Sequence, residues 1–422
     1  MHLLFRNCTI IDPHGPHHEQ TLDLRIADGR LVELGKALEA ADATVHTAQD
    51  LHVSIGWIDL EAEGGEPGYE QREDLSSLLR AARIGGYTRI GLRPNASPPI
   101  HDKAGIGNLL RQSEGHGVQL LPIGAITHDL NGRDLTEMMD MQHAGAVAFS
   151  DGAQPIAHGG VFLRALQYVQ AFDGLILHQP LDQSVAGQGQ LHEGVLSTRL
   201  GLPGIPALAE ELMVARDLQL LAYTGSRLHL SHLSTAGAVA QVRKAKAAGL
   251  RVTASVAALN LYATDEALTG FSVNHKVLPP LRCEADRQAL IGGLVDGTID
   301  LVSSNHTPRE QEAKKVEFLY ADFGAAMLST AYGAFNYALH DQLSTSEIIA
   351  KLTQAPRRVL GLTQATITKG MEAELTFFQP RTDWIPTLAD IASKSKNAPL
   401  VGAPLRGRVL GTVLGKDAWF SA

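Results

Sequence analysis

Between Val53 and Ser303 the chain alternates short apolar runs with longer stretches of helical periodicity. The runs predict strands at Val53–Leu60, Arg89–Leu92, Gln119–Ile123, Ala146–Phe149, Leu175–Leu177, Arg227–Leu230, Arg251–Val256 and Asp300–Ser303. Between them, helices are predicted at Asp74–Ile84, Leu135–His143, Val161–Ala171, Ala207–Leu218, Ala236–Ala248 and Glu284–Leu294. Gly85, Gly145, Gly174 and Gly249 follow several of these, which suits a helix stop. Strands joined by crossover helices predict an α/β fold, a TIM-like (β/α)8 barrel over residues 54–360, with a doubly wound sheet as the alternative. Both chain ends read differently. Leu3–Ile11, Leu22–Ile26 and Arg30–Leu34 at one end, and Glu374–Phe378 and Gly407–Leu414 at the other, predict strands, with a hairpin at Asp28-Gly29. Residues 1–53 and 361–422 are therefore expected to form one small, discontinuous, β-sandwich-like domain.

In such a barrel the chemistry sits where strands end at the C-terminal face. The predicted strands end in Asp59-Leu60-Glu61-Ala62-Glu63, Pro94-Asn95, Ser150-Asp151, His178, His232 and Asn305-His306. Packing alone does not place polar groups at so many strand ends, so a polar site is expected there. Composition narrows the function classes. The 422 residues carry 36 Lys and Arg against 45 Asp and Glu, a net charge of −9, which argues against a nucleic-acid or anionic-membrane binder. Two cysteines, Cys8 and Cys283, make no disulfide framework and fit a cytoplasmic protein. No apolar run reaches the ~18 residues of a membrane span, and the N-terminus reads as a strand rather than a signal segment.

Several stretches carry a resemblance: Glu66-Pro67-Gly68, Gly86-Tyr87-Thr88, Pro94-Asn95, Gly145 to Asp151, His192-Glu193-Gly194, Leu200 to Pro206, His232 to Thr235, Pro279 to Arg282 and Asp296 to Asp300. In this order and spacing the chain resembles the amidohydrolase superfamily, and within it the long, two-domain dihydroorotases. The resemblance implies a barrel with a terminal β domain and, in active members, a two-metal site that closes or opens a cyclic amide.

At the chemical positions the sequence departs from that pattern. The family's two histidines after the first strand are Glu61 and Glu63, and its substrate-gripping arginine is Gly65. The aspartate that ligates metal and accepts the proton is Asn305. His306 is kept, but the last histidine of that motif is Arg309. Leu278 replaces an asparagine, Leu259 and Asn260 replace paired histidines, and Pro180-Leu181 replace an acidic pair. Asp151, His178 and His232 match three ligands of one metal, and Asn95 matches a substrate contact.

A carboxamide at Asn305 has no lone pair basic enough to accept the proton; its plain reading is a solvated loop amide. Glu61 and Glu63 read either as replacement metal ligands or as partly solvated acids at a cleft mouth. The expectation is a non-catalytic dihydroorotase-like protein of pyrimidine biosynthesis without a cofactor. Similar inactive relatives implied by the resemblance are structural, oligomeric partners of aspartate carbamoyltransferase. Two alternatives stand beside it: an active hydrolase with one zinc on Asp151, His178 and His232, and a sensor binding carbamoyl aspartate without turnover.

Overall fold

A computed structural model describes residues 1–421. The chain enters through β1 (His2–Ile11), β2 (Thr21–Ala27), β3 (Arg30–Gly35), β4 (Thr44–His46) and β5 (His52–Ile55). β1 pairs antiparallel with β2, and β2 with β3, while β4 and β5 lie parallel to β1. The barrel strands follow: β6 (Trp57–Ala62), β7 (Tyr87–Leu92), β8 (Gln119–Gly124), β9 (Ala148–Phe149) and β10 (Leu175–His178). A two-stranded excursion, β11 (Leu191–His192) and β12 (Gly204–Ile205), precedes β13 (Arg227–Leu230), β14 (Val252–Ala257) and β15 (Leu301–Ser303). The chain ends on β16 (Glu374–Trp384), β17 (Leu405–Leu414) and β18 (Asp417–Phe420).

The strands β6 to β10 and β13 to β15 form one parallel sheet in sequence order, each beside its neighbour. The sheet curls until its edges nearly meet: Glu63 N–H donates to the His306 carbonyl at 2.8 Å, and Ser304 N–H to Asp59 Oδ1 at 2.7 Å. The expected barrel is therefore present, and the doubly wound alternative is not.

The predicted run Val53–Leu60 is two strands rather than one. His52–Ile55 pairs with β1 and β16 in the terminal sheet, whereas Trp57–Ala62 is the first barrel strand. The break falls at Gly56, where any Cβ would stand 2.1 Å from Thr88 Oγ1. An uninterrupted apolar run carries no mark of such a change of sheet. The helix predicted from Leu135 starts at Met138, because Leu135 is held in a bridge to Thr127.

Local chemistry explains the helices. Leu75–Ile84 starts where the Asp74 side chain accepts Ser77 N–H at 2.8 Å while Ser77 caps in return. It buries Leu75, Leu78, Leu79 and Ala82, the spacing of one helical face. Two cores result. The larger lies between barrel and helices, with Trp57 wedged against Tyr87, Tyr332 and Phe378. The smaller, around Phe5, Ile26, Val53, Leu375 and Phe377, fills the terminal sheet. Glu374 joins the two units. It accepts from Arg89 at 2.9 and 2.8 Å, from Arg357 at 2.7 Å and from Thr88 at 3.0 Å. Among the described residues no helix is long and apolar enough to cross a membrane.

Candidate functional site

The C-terminal ends of the barrel strands gather the residues singled out from sequence, and also one that was not. Arg93 leaves β7 directly before Pro94-Asn95, and only 4% of it is exposed. Its guanidinium donates to His232 Nδ1 at 3.0 Å and to Asn305 Oδ1 at 3.4 Å, and its Nε lies 3.5 Å from Glu61 Oε1. A fixed cation thus holds together three positions that the family pattern assigns to metal ligands. Glu61 is 1% exposed and its second oxygen has no hydrogen-bond partner.

Glu63 takes a different partner. Arg309 grips it with two nitrogens, at 2.7 and 3.3 Å. Burial works against the Arg309 charge, but Glu63 beside it raises the guanidinium's pKa above its ordinary value. Both residues stand where active members would carry histidine, so the two substitutions complete one another. The acids are therefore buried and paired, not partly solvated as the sequence suggested. Asn305 is likewise buried rather than a solvated loop amide, with Nδ2 donating to the Leu278 carbonyl at 3.1 Å.

The apolar replacements also converge. Leu181 and Leu278 belong to one cluster with Ala186, Ile205, Ala209 and Phe323. An acidic position and an asparagine position have thus become a packed surface. Asn260 is buried with Nδ2 on the Pro280 carbonyl, and Leu259 is in the core beside it. Gly65 is committed to its missing side chain: a Cβ there would lie 2.2 Å from the Tyr69 carbonyl oxygen and 2.3 Å from that of Glu73. No guanidinium can be mounted at this point without moving backbone.

The three retained ligand types are each consumed by the protein. Asp151 accepts from Ile126 N–H and Thr127 N–H at 2.9 Å and from the Thr127 hydroxyl at 2.5 Å. Burial raises its carboxyl pKa, and those donors oppose the shift. His178 Nε2 accepts the Ile156 N–H at 3.1 Å, so Nδ1 carries the proton and donates to Asp217 Oδ2 at 2.6 Å. His232 Nδ1 accepts from Arg93, leaving Nε2–H for Ser303 Oγ at 3.2 Å. Burial, and then the Arg93 charge, push the His232 pKa well below its ordinary value, keeping the ring neutral. His306 is buried, accepting from Met327 N–H at 3.1 Å and facing Glu73 at 3.6 Å.

These donors do not fit the metal the family pattern implies. A ligating imidazole needs a free lone pair, and in both rings that lone pair accepts an N–H. Asp151, His178 and His232 do not bring three ligand atoms within 4.8 Å of one another; among the described residues only His192, Cys283 and Asp286 do so. Asp151, His178 and His232, the residues of the one-zinc alternative, thus do not form a three-ligand cluster in this structure. Asn95 lies on the mouth, with Oδ1 buried and lacking a partner, against Gly152. Backbone strain persists here: His232 and Asn305 hold left-handed φ values of 54° and 48°.

Sequence reasoning missed Arg93, Thr127 and Asp217. Arg93 was readable as a charge closing the run Ile90-Gly91-Leu92, but its neighbours Pro94-Asn95 carried the motif. Asp217 sits inside a helix, and Thr127 in a loop, with no spacing signal toward His178 or Asp151.

Barrel, strand order and terminal sheet together define an amidohydrolase-type fold. The L-hydantoinase (dihydropyrimidinase) of Arthrobacter aurescens superposes with a TM-score of 0.84 at 19% identity, covering 99% of this chain and 95% of that one. A dihydropyrimidinase from Brevibacillus agri gives 0.81 at 17% identity, with the same coverage. The Dihydro-orotase-like family model matches residues 52–238. A dihydroorotase of Pelotomaculum thermopropionicum is 40% identical over 417 residues, 98% of this chain and 97% of that one. One of Citrifermentans bemidjiense is 36% identical, with 98% of both chains covered. The chain belongs to the dihydroorotase-like family.

Proposed function

We propose that this chain is a dihydroorotase-like protein of pyrimidine biosynthesis that does not catalyse the ring reaction, works without a resident cofactor in the barrel, and serves in the cytoplasm as a structural partner of aspartate carbamoyltransferase. One observation carries the non-catalytic part: the acids at the replaced positions are paired with arginines, and the apolar replacements pack together. Glu63 pairs with Arg309, Glu61 and Asn305 face Arg93, and Leu181 packs with Leu278. A mouth that had merely lost ligands would hold orphaned charges, which are costly when buried. This one has neutralised them internally, and the position of the proton acceptor is an amide hydrogen-bonded on both its oxygen and its nitrogen.

The partner role rests on the family resemblance, and one surface feature supports it. Phe271 packs edge-on to Phe318 at 6.2 Å, and Phe271, together with Val316, Leu319 and Tyr320, the sequence neighbours of Phe318, are exposed apolar side chains. Exposed large apolar side chains are stabilised when a partner covers them.

The test has two arms. Purified protein supplied with zinc is assayed with carbamoyl aspartate and with dihydroorotate. The reading expects rates no higher than buffer, and turnover that disappears in His232→Ala overturns it. Size-exclusion chromatography with aspartate carbamoyltransferase from the same organism is expected to give a co-eluting complex. Independent elution at micromolar concentration removes the partner role.

A further inference from the structure

Three separate stretches of chain enclose a cavity of about 720 Å³. One wall comes from residues 309–315, after β15, a second from Val273 and Asn274, and a third from residues 394–397, between β16 and β17. Of the lining residues only Arg309 stands at a position of the family motif, and its guanidinium is committed to Glu63. The volume falls in the range of small-molecule sites.

The lining is basic. It carries Arg309, Lys314, Lys315, Lys394 and Lys396 against Glu310 and Glu312. Several of these are already paired: Arg309 with Glu63 at 2.7 Å, Lys394 with Asp74 at 3.3 Å, and Glu310 with Arg72 at 2.9 Å. Among the described residues, Lys314, Lys315 and Lys396 have no carboxylate within ion-pair distance. Lys315 and Lys396 are exposed, so solvent balances them.

Lys314 is not balanced in that way. It is 5% exposed, and its Nζ donates to the Val273 and Asp322 carbonyls, each at 2.7 Å. Lysine is seldom buried without an anionic partner, because carbonyl oxygens alone do not offset the lost hydration of an ammonium. Lys276, 1% exposed, adds a second buried cation without a carboxylate, held by the Phe318 and Leu319 carbonyls at 2.7 and 3.2 Å. Burial, and then Arg309 and Lys276, push the Lys314 pKa down to about 7, with Asp322 acting the other way. An ammonium has three N–H donors. Two are used on carbonyls, and one remains on Lys314 for a ligand in the cavity it lines.

We propose that this cavity binds a small free anion bearing phosphate groups, with Lys314, Lys315 and Lys396 as its cationic contacts. The anion supplies the countercharge that the buried ammonium lacks, and attraction is stronger in an enclosed site than on an open surface. Ammonium groups are compact charges with freely turning donors, which suits the many oxygens of a phosphate. A planar carboxylate is matched better by the fork of an arginine, and the one arginine on the lining is already paired. None of the three lysines belongs to the network in the barrel mouth, so the outcome is independent of whether the barrel turns over substrate.

The test is calorimetric titration of the full-length protein with pyrophosphate, with inorganic phosphate and with citrate. One pyrophosphate per chain is expected, bound about 10-fold or more tighter than citrate, with inorganic phosphate competing for the same site. Lys314→Met keeps an apolar stem in the buried position and should weaken pyrophosphate binding about 10-fold or more, the worth of one hydrogen bond to a charged group. Lys314 also ties two carbonyls, so a second variant changes only exposed groups: Lys315→Gln with Lys396→Gln should weaken binding by as much while the urea midpoint stays at the parent's. Lys244→Gln, an exposed change on the helix Ala236–Ala247, should leave binding as it was. No saturable heat at millimolar pyrophosphate, citrate bound as tightly as pyrophosphate, unchanged affinity in the double variant, or an equal loss in Lys244→Gln would each overturn the site.

Discussion

Arg93→Met tests the rebuilt mouth at its centre. Methionine has nearly the length of arginine and no charge, so the change removes the cation without opening a large void. It leaves Glu61, 1% exposed, with no countercharge, and strips a donor from His232 Nδ1 and from Asn305 Oδ1. Breaking a buried ion pair from one side costs about 3–5 kcal/mol, and a lost hydrogen bond to a charged group about 1.5–3 kcal/mol. The terms overlap, so the expected destabilisation is about 4 kcal/mol. The assay is urea unfolding followed by circular dichroism. Adding Glu61→Gln to the variant removes the orphaned charge and should return about 2 kcal/mol or more, whereas Glu61→Gln alone in the parent should destabilise. Single and double variants close a cycle whose interaction energy isolates the pair. A loss below about 1 kcal/mol in Arg93→Met, or strict additivity in the double variant, would refute the reasoning.

Three further outcomes are expected. His229 is buried, with its pKa pushed down to about 3 by burial and then by Lys246. Its native state refuses a proton that the unfolded chain accepts near 6.5, so its contribution is complete above that pH and is lost as pH falls toward 3, by about 4–5 kcal/mol; unfolding free energies at stepped pH should lose that slope in His229→Asn. Glu63→Gln, which breaks the two-nitrogen grip of Arg309, should cost about 2–3 kcal/mol in denaturant unfolding, and Arg309→Met should then cost little more in the same background. Gly65→Arg should lower stability by about 1–3 kcal/mol or more, because its Cβ meets two backbone oxygens; a variant that unfolds at the parent's urea midpoint would show that this loop yields.

The barrel was legible because each strand is an apolar run and each crossover helix has its own periodicity. Asp74 even announced the helix it caps. The change of sheet at Gly56 was not legible, because both strands are apolar and only contact with Thr88 demands the glycine. At the mouth, the sequence identified which positions had changed but not what the new residues do. Glu63 and Arg309 are 246 residues apart, and Arg93 and Asn305 are 212 apart. No local pattern says that such residues will meet. For the same reason Glu61, Glu63 and Asn305 read as solvated, since burial of a charge depends on a partner supplied from elsewhere in the chain.

Diffraction from zinc-soaked crystals at the zinc absorption edge tests the central claim most directly. The account predicts no anomalous peak among Glu61, Glu63, Asp151, His178 and His232, with the Arg93 guanidinium in that space. A well-occupied ion held there by Asp151 and the two imidazoles, with Arg93 displaced, would contradict it.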